Sequence, residues 1–137
     1  MLPIPVTICT IAVFAIMLTG LSLAVSFRRR DLNLAIGDGD DRILRRRIRT
    51  HGNFIENAPL CALVVLALES LLATSGMVAL VAGLLIGARI LHVLGTFQRM
   101  RKHLVAPAMI IQHLTLLITA VWLLIQTFGN VLVSLSL

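Results

Sequence analysis

The sequence is dominated by four long apolar runs that short polar segments separate. The runs cover about residues 2–27, 48–73, 77–98 and 104–128. Each is at least as long as the roughly 20 residues that an α-helix needs to cross the hydrocarbon core of a bilayer. Their apolar residues are continuous rather than alternating, which favours helices over the strands of a membrane barrel. The pattern predicts an all-α integral membrane protein, with one four-helix bundle domain over residues 1–137.

The composition excludes an ordinary soluble domain. Hydrophobic residues make up 58% of the chain, charged residues 13%, and the mean hydropathy is +0.99. Soluble domains carry about 25% charged residues. A chain this apolar is expected to satisfy its backbone groups within helices that lie in lipid.

The basic residues predict the orientation of the helices. There are 12 Lys and Arg against 6 Asp and Glu, and the bases are concentrated in the loops 28–47 and 99–103. These loops are two crossings apart and so lie on the same side, whereas the turn 74–76 on the other side has no charge. The positive-inside rule places both loops in the cytoplasm and both termini outside. Membrane topology and attraction to anionic lipids explain these basic residues. Because no set of aromatic residues for base stacking accompanies the arginines, we expect no nucleic-acid partner.

The second helix carries a cluster of polar residues near its start. Arg49, Asn53 and Glu56 are spaced i, i+4 and i+7, so they share one helix face. A guanidinium, an amide and a carboxylate on one face are suited to a small zwitterion, because Arg pairs with a carboxylate and Glu with an ammonium group. The alternative is that Arg49 and Glu56 pair with each other and hold helices together.

The third helix has a matching polar face. Its members are Arg89, His92, Thr96 and Arg99. Arg89 is deep enough in the apolar run to need a partner or a water-filled cavity, unless it extends to the membrane surface. The polar faces of the second and third helices lie at the same depth in the membrane, near the cytoplasmic end, and therefore predict a shared pocket.

Other polar residues give weaker signals. Gln112 and His113 lie near the same end and could either line the pocket or hold the bundle together. Glu69 stands alone near the opposite end, where we expect it to be capped or interfacial and assign it no functional role. The four histidines lack metal-ligand spacing, so no metal site is predicted.

The polar residues of the second helix resemble the signature of a known family. Together with Arg89 and His92, the pattern that resembles the MAPEG family consists of Arg46, Arg49, His51, Asn53, Glu56 and Pro59. This family comprises membrane-associated proteins in eicosanoid and glutathione metabolism, and the chain looks like a bacterial member. The resemblance implies a four-helix bundle that assembles as a homotrimer in the bacterial inner membrane.

The resemblance also implies a function. Characterised members bind glutathione between subunits near the cytoplasmic face and use it on lipophilic electrophiles or lipid hydroperoxides. Lipophilic small molecules, the bilayer and further copies of the chain would be the partners. No catalytic residue is assigned. By position, the glutathione-binding residues would be Arg49, Asn53, Glu56, Arg89, His92 and Arg28.

Two other functions stay open. One is a non-catalytic lipid-binding or scaffold protein of the same fold. The chain has no tyrosine, and it carries Gly52 and Thr96 where the mammalian enzymes of the family have arginine and tyrosine. The other is a small proton-coupled multidrug transporter, because Glu56 is a carboxylate within a small four-helix membrane protein. Transporters, however, place such a carboxylate nearer the bilayer midplane.

The predicted topology is tested by cysteine labelling in intact cells. With both native cysteines replaced by serine, a cysteine introduced within residues 42–47 should resist a membrane-impermeant reagent. A cysteine introduced within residues 74–76 should react. Labelling of the first position from outside would overturn the orientation.

Overall fold

The computed structural model describes residues 3–97 and 102–135, and these form four α-helices. The helices are α1 (Pro5–Asp31), α2 (Arg42–Leu72), α3 (Gly76–Phe97) and α4 (Lys102–Leu135). Each contains a segment long and apolar enough to cross a membrane. The prediction of an all-α integral membrane protein with four spanning helices is confirmed. Arg99, expected on the polar face of α3, lies outside the described residues.

α2 begins well before the apolar run that predicted it, which started at about residue 48. Asp41 precedes the helix as its N-cap and accepts a hydrogen bond from the Leu44 N–H at 2.6 Å. The Arg28 guanidinium and the Leu44 N–H hold the pKa of the Asp41 carboxyl at about 2. Because arginine is a good helix former and the cap is in place, residues 42–47 belong to α2 rather than to the preceding loop.

The helices pack in chain order. α1 lies against α2, α2 against α3 and α3 against α4, while α1 and α4 make no contact with each other in the described part of the chain. Phe14 of α1 meets Phe54 of α2 edge to face, with ring centroids 5.8 Å apart. The core continues through α2 and α3 with small and branched side chains, including Ala58, Val65 and Leu85.

α3 and α4 approach closely at Gly95. A Cβ added there would lie 2.8 Å from Val105 Cγ2 and 3.2 Å from the Val105 backbone nitrogen, so only glycine fits. This contact fixes the first turns of α4 against the last turns of α3. It therefore brings the polar residues in the first half of α4 beside those of α2 and α3.

Glu69 joins α2 to the first turn of α1. Its carboxylate accepts hydrogen bonds from the backbone N–H groups of Val6 at 3.2 Å and Thr7 at 2.7 Å, and from the Thr74 hydroxyl at 2.9 Å. Glu69 is 1% exposed, and the N-cap residue of α1, Ile4, offers no side-chain cap. A carboxylate from another helix thus satisfies the free N–H groups of α1, where the helix dipole favours negative charge.

Replacing this cap should destabilise the bundle. In Glu69→Gln the amide NH2 would face N–H donors, and we expect a loss of about 1–3 kcal/mol in the free energy of unfolding. Denaturant unfolding in mixed micelles measures it. Ser70→Ala is the matched control, because Ser70 is exposed and bonds only to the Leu66 carbonyl of its own helix. Equal stability of Glu69→Gln and the parent would refute the capping role.

Candidate functional site

Arg89 of α3 lies fully buried inside the protomer, at 0% exposure. Its Nη1 donates to Asn53 Oδ1 at 3.1 Å and to the Asn53 carbonyl at 3.4 Å, and its Nη2 contacts Met109 Sδ at 3.9 Å. Its Nε is buried and has no hydrogen-bond partner within residues 3–97 and 102–135. No ion pair to Arg89 is formed in that part of the chain. A cation is thus held by neutral groups alone, about 12 Å inside the end of α3.

A second pair of amides extends this network to α4. Gln112 Nε2 donates to Asn57 Oδ1 at 2.7 Å, and Asn57 Nδ2 donates to the Asn53 carbonyl at 2.8 Å. Gln112, which was expected either to line a pocket or to hold the bundle, ties α4 to α2 within the protomer. His113 is exposed and hydrogen-bonds the Met109 carbonyl of its own helix at 2.7 Å. Asn57 was not among the predicted site residues, although its i+4 spacing from Asn53 was a usable signal.

The bond from Arg89 orients the side chain of Asn53. Because Asn53 Oδ1 accepts from a guanidinium that can only donate, its Nδ2 is the group left for other partners. Nδ2 makes no hydrogen bond with the residues that the structure describes, and Asn53 is only half-buried. The amide therefore presents its NH2 donor at the edge of the protomer.

Arg49 and Glu56 lie on the outward face of α2. Both are exposed, and neither side chain forms a hydrogen bond or ion pair with any described residue. The two do not pair with each other, contrary to the structural alternative considered for them. The same face continues with Leu60 and Leu63, which are 54% and 60% exposed.

The two remaining predicted site residues, His92 and Arg28, lie at separate places in the bundle. His92 is 7% exposed, its carbonyl accepts from the Thr96 hydroxyl at 2.6 Å, and its ring has no hydrogen bond to a described residue. Arg28 is half-buried at the end of α1 and pairs with Asp41 at 2.8 Å. Within the chain, therefore, Asn53 and Arg89 are in direct contact, whereas Arg49 and Glu56 face away from Arg89.

Two open cavities lie between α1 and α2, next to this outward face. The apolar one has a volume of about 220 Å³ and is lined by residues that include Phe14, Phe54 and Pro59. The other, about 340 Å³, includes Ser22 and His51 in its wall. Ile55, the neighbour of Glu56, contributes to both. A groove for an apolar molecule thus runs beside the charged positions of α2.

The structure offers no obvious metal centre. No three His, Cys, Asp or Glu side chains among residues 3–97 and 102–135 are placed to hold a metal ion. The polar residues instead form a chain of hydrogen bonds inside the protomer and an unpaired charged face outside it.

Comparisons with known proteins identify the family. Neither the curated proteins nor the solved structures include a significant match to this chain. The sequence model of the MAPEG family, in contrast, matches residues 6–125. That range contains nearly all of the four helices and every polar residue discussed above. The chain therefore belongs to the MAPEG family.

Proposed function

We propose that the protein is a membrane-bound, glutathione-dependent transferase or peroxidase acting on lipophilic electrophiles or hydroperoxides. Membership of the family supports glutathione-related chemistry in general. The observation that carries the proposal for this chain is the unpaired Glu56 on the outward face of α2. This carboxylate is in a helix that crosses the membrane, and it has no partner among the described residues.

The isolation of Glu56 is unusual because acidic residues are so few. Of the six in the chain, Asp38, Asp40 and Asp41 pair with Arg45 or Arg28, Glu69 caps α1, and Asp31 lies at the end of α1. Only Glu56 is both inside an apolar helix and unsatisfied by a described residue. An unpaired carboxylate in a membrane span is expensive and usually marks a binding site.

The chemistry of this face fits glutathione. The tripeptide carries two carboxylates and one ammonium group. Glu56 supplies a carboxylate for the ammonium group, Arg49 supplies a guanidinium for a carboxylate, and Asn53 supplies the NH2 that Arg89 has oriented. A cationic neighbourhood also lowers the pKa of a bound thiol and favours its nucleophilic thiolate form.

The remaining predicted residues have supporting positions in this proposal. Arg89 acts on glutathione through Asn53, because the guanidinium is enclosed within the protomer. Arg28 is adjacent to the start of α2 through Asp41 and is proposed as a further anchor for a carboxylate. His92 is proposed to approach the ligand from α3. The cavity of about 220 Å³ between α1 and α2 provides an apolar wall for the lipophilic substrate.

We further propose that the protein is a homotrimer, with the site between subunits and the basic ends of the helices in the cytoplasm. Exposed charges on the side of a spanning helix are unfavourable in lipid. A neighbouring subunit packed on the outward face of α2 would enclose Arg49 and Glu56. α1 and α4 each keep a free side for such packing, since they do not contact each other in the described part of the chain.

A non-catalytic lipid-binding protein is the second candidate. The observation that favours it is the apolar cavity between α1 and α2, which can accept an acyl chain without any thiol. The two candidates differ in glutathione binding, which the second does not require.

Glutathione binding should depend on Glu56. Glu56→Gln removes the charge that pairs with the ligand's ammonium group, and truncating one partner of a buried charge pair costs about 2–5 kcal/mol. Calorimetric titration of the purified protein in detergent measures the change in Kd. Asp31→Asn is the matched control, because it also removes one exposed negative charge but lies at the end of α1.

Asn53→Asp separates binding from folding in the same experiment. The aspartate keeps an acceptor for Arg89, so the bundle should fold, but it replaces the free NH2 donor with a negative charge. We expect weaker glutathione binding in Asn53→Asp than in Asn53→Ala, which should itself lose about 1–3 kcal/mol. Unchanged binding in Glu56→Gln, or no binding by the parent at millimolar glutathione, would leave the lipid-binding candidate in first place.

The assembly should also depend on the outward face of α2. Native mass spectrometry of the protein released from detergent is expected to show trimers. Leu63→Arg places a third charge on this face and should shift the distribution to monomers. Leu80→Arg, on the similarly exposed side of α3, is the comparison and should leave the trimer intact. A parent that is monomeric in both detergent and lipid nanodiscs would contradict the trimer.

A further inference from the structure

A separate basic cavity lies where α2 begins and α3 ends. It has a volume of about 200 Å³ and is lined by Ile43, Arg46, Arg47 and Phe97. Ile43 and Phe97 are 45% and 40% exposed, so the cavity has apolar as well as cationic walls. It faces α3 and is distinct from the outward face that carries Arg49 and Glu56.

Arg47 is held in this cavity by two contacts. Its Nη1 donates to the Ala24 carbonyl of α1 at 2.7 Å, and its guanidinium carbon lies 5.7 Å from the centre of the Phe97 ring. A guanidinium has five N–H donors, and only one is used by a described residue. The stacking and the single bond thus preorganise Arg47 while leaving several donors for a ligand.

Arg46 completes a pair of cations without a counter-charge. Its guanidinium is half-buried and forms no hydrogen bond or ion pair with the residues described. Of the acids at this end, Asp41 binds Arg28, and Asp38 and Asp40 bind Arg45. Asp31, at the end of α1, forms no ion pair with a described residue and does not line the cavity. The cavity therefore has two positive charges that no described carboxylate neutralises.

We propose that this cavity binds the phosphate of an anionic membrane phospholipid. Two guanidiniums match a phosphate group, because each can donate two parallel N–H bonds to its oxygens. The cavity lies where the apolar segments of α2 and α3 meet the basic end of the bundle, and lipid headgroups are expected at such a boundary. Ile43 and Phe97 beside the arginines suit the start of the acyl chains, which a soluble phosphate lacks.

The test uses the full-length protein in nanodiscs made of equal amounts of phosphatidylglycerol and phosphatidylcholine. Native mass spectrometry then counts the lipids that stay bound after release. The parent should retain phosphatidylglycerol in preference to phosphatidylcholine. Arg46→Gln, which removes no described side-chain hydrogen bond or ion pair, should weaken this retention. Arg46→Gln with Arg47→Gln should reduce it roughly tenfold or more, the equivalent of one lost charge-assisted hydrogen bond.

The matched control is the double variant Arg30→Gln with Arg42→Gln. It also removes two positive charges from this end of the bundle, but both side chains are exposed and neither lines the cavity. It should retain phosphatidylglycerol as the parent does. Far-ultraviolet circular dichroism verifies that each variant keeps its helices.

Three results would overturn the proposal. The first is equal retention of the two lipids by the parent. The second is an equal loss in the control variant, which would indicate attraction to the general positive charge of this end. The third is displacement of the lipid by millimolar inorganic phosphate, which would indicate a site for a soluble anion.

Discussion

A buried guanidinium without a carboxylate is the constraint on which the interior of this protein depends. Arg89 could be neutralised most simply by an acid, but its described partners are the oxygens of Asn53 and the sulfur of Met109. Neutral acceptors leave the positive charge in place, and a charge inside a low-dielectric bundle is expensive. The hydrogen bonds that Asn53 accepts from Arg89 offset part of this cost, and Asn57 supports Asn53 by donating to its carbonyl. The bundle keeps an internal positive charge close to its proposed ligand-binding face.

The inward and outward sides of α2 have different roles. Its inward side contributes neutral amides to the network with Arg89 and Gln112, while its outward side presents Arg49 and Glu56 without described partners. Asn53 stands at the boundary and belongs to both, since its oxygen faces the protomer and its NH2 is free. Because Asn53 links the two sides, a ligand site on the outward face would depend on how firmly the interior network holds this side chain. The donor offered to a ligand is only as well positioned as the arginine behind it.

The sequence could predict the helices because apolar runs longer than a bilayer leave few alternatives. It predicted the start of α2 less well, since four of the first six residues of that helix are arginine and lie before the continuous apolar run, and the Asp41 cap was not recognised. The role of Glu69 as the cap of α1 was also beyond sequence reasoning, because the two backbone N–H groups that it accepts are more than sixty residues away along the chain. Helical spacing grouped Asn53 with Arg49 and Glu56, whereas the side-chain oxygen of Asn53 turns toward Arg89. It could not say that the face with Arg49 and Glu56 turns outward while Arg89 is enclosed, because that depends on how the helices are rotated against each other.

The distribution of the acids links these observations. The Asp41 carboxylate and the Glu69 carboxylate each accept backbone N–H groups at the start of a helix, one for α2 and one for α1. Asp38 and Asp40 fix the turn before α2 through Arg45. Structural roles thus consume all the described acids except Asp31, at the end of α1, and Glu56. A chain with an excess of six positive charges then has almost no acid to spare for its remaining arginines. In the two proposals, counter-charges come from outside the chain: from an anionic phospholipid at the cavity of Arg46 and Arg47, and from the carboxylates of glutathione at the face of α2. The same excess of positive charge would then favour both of these anionic ligands.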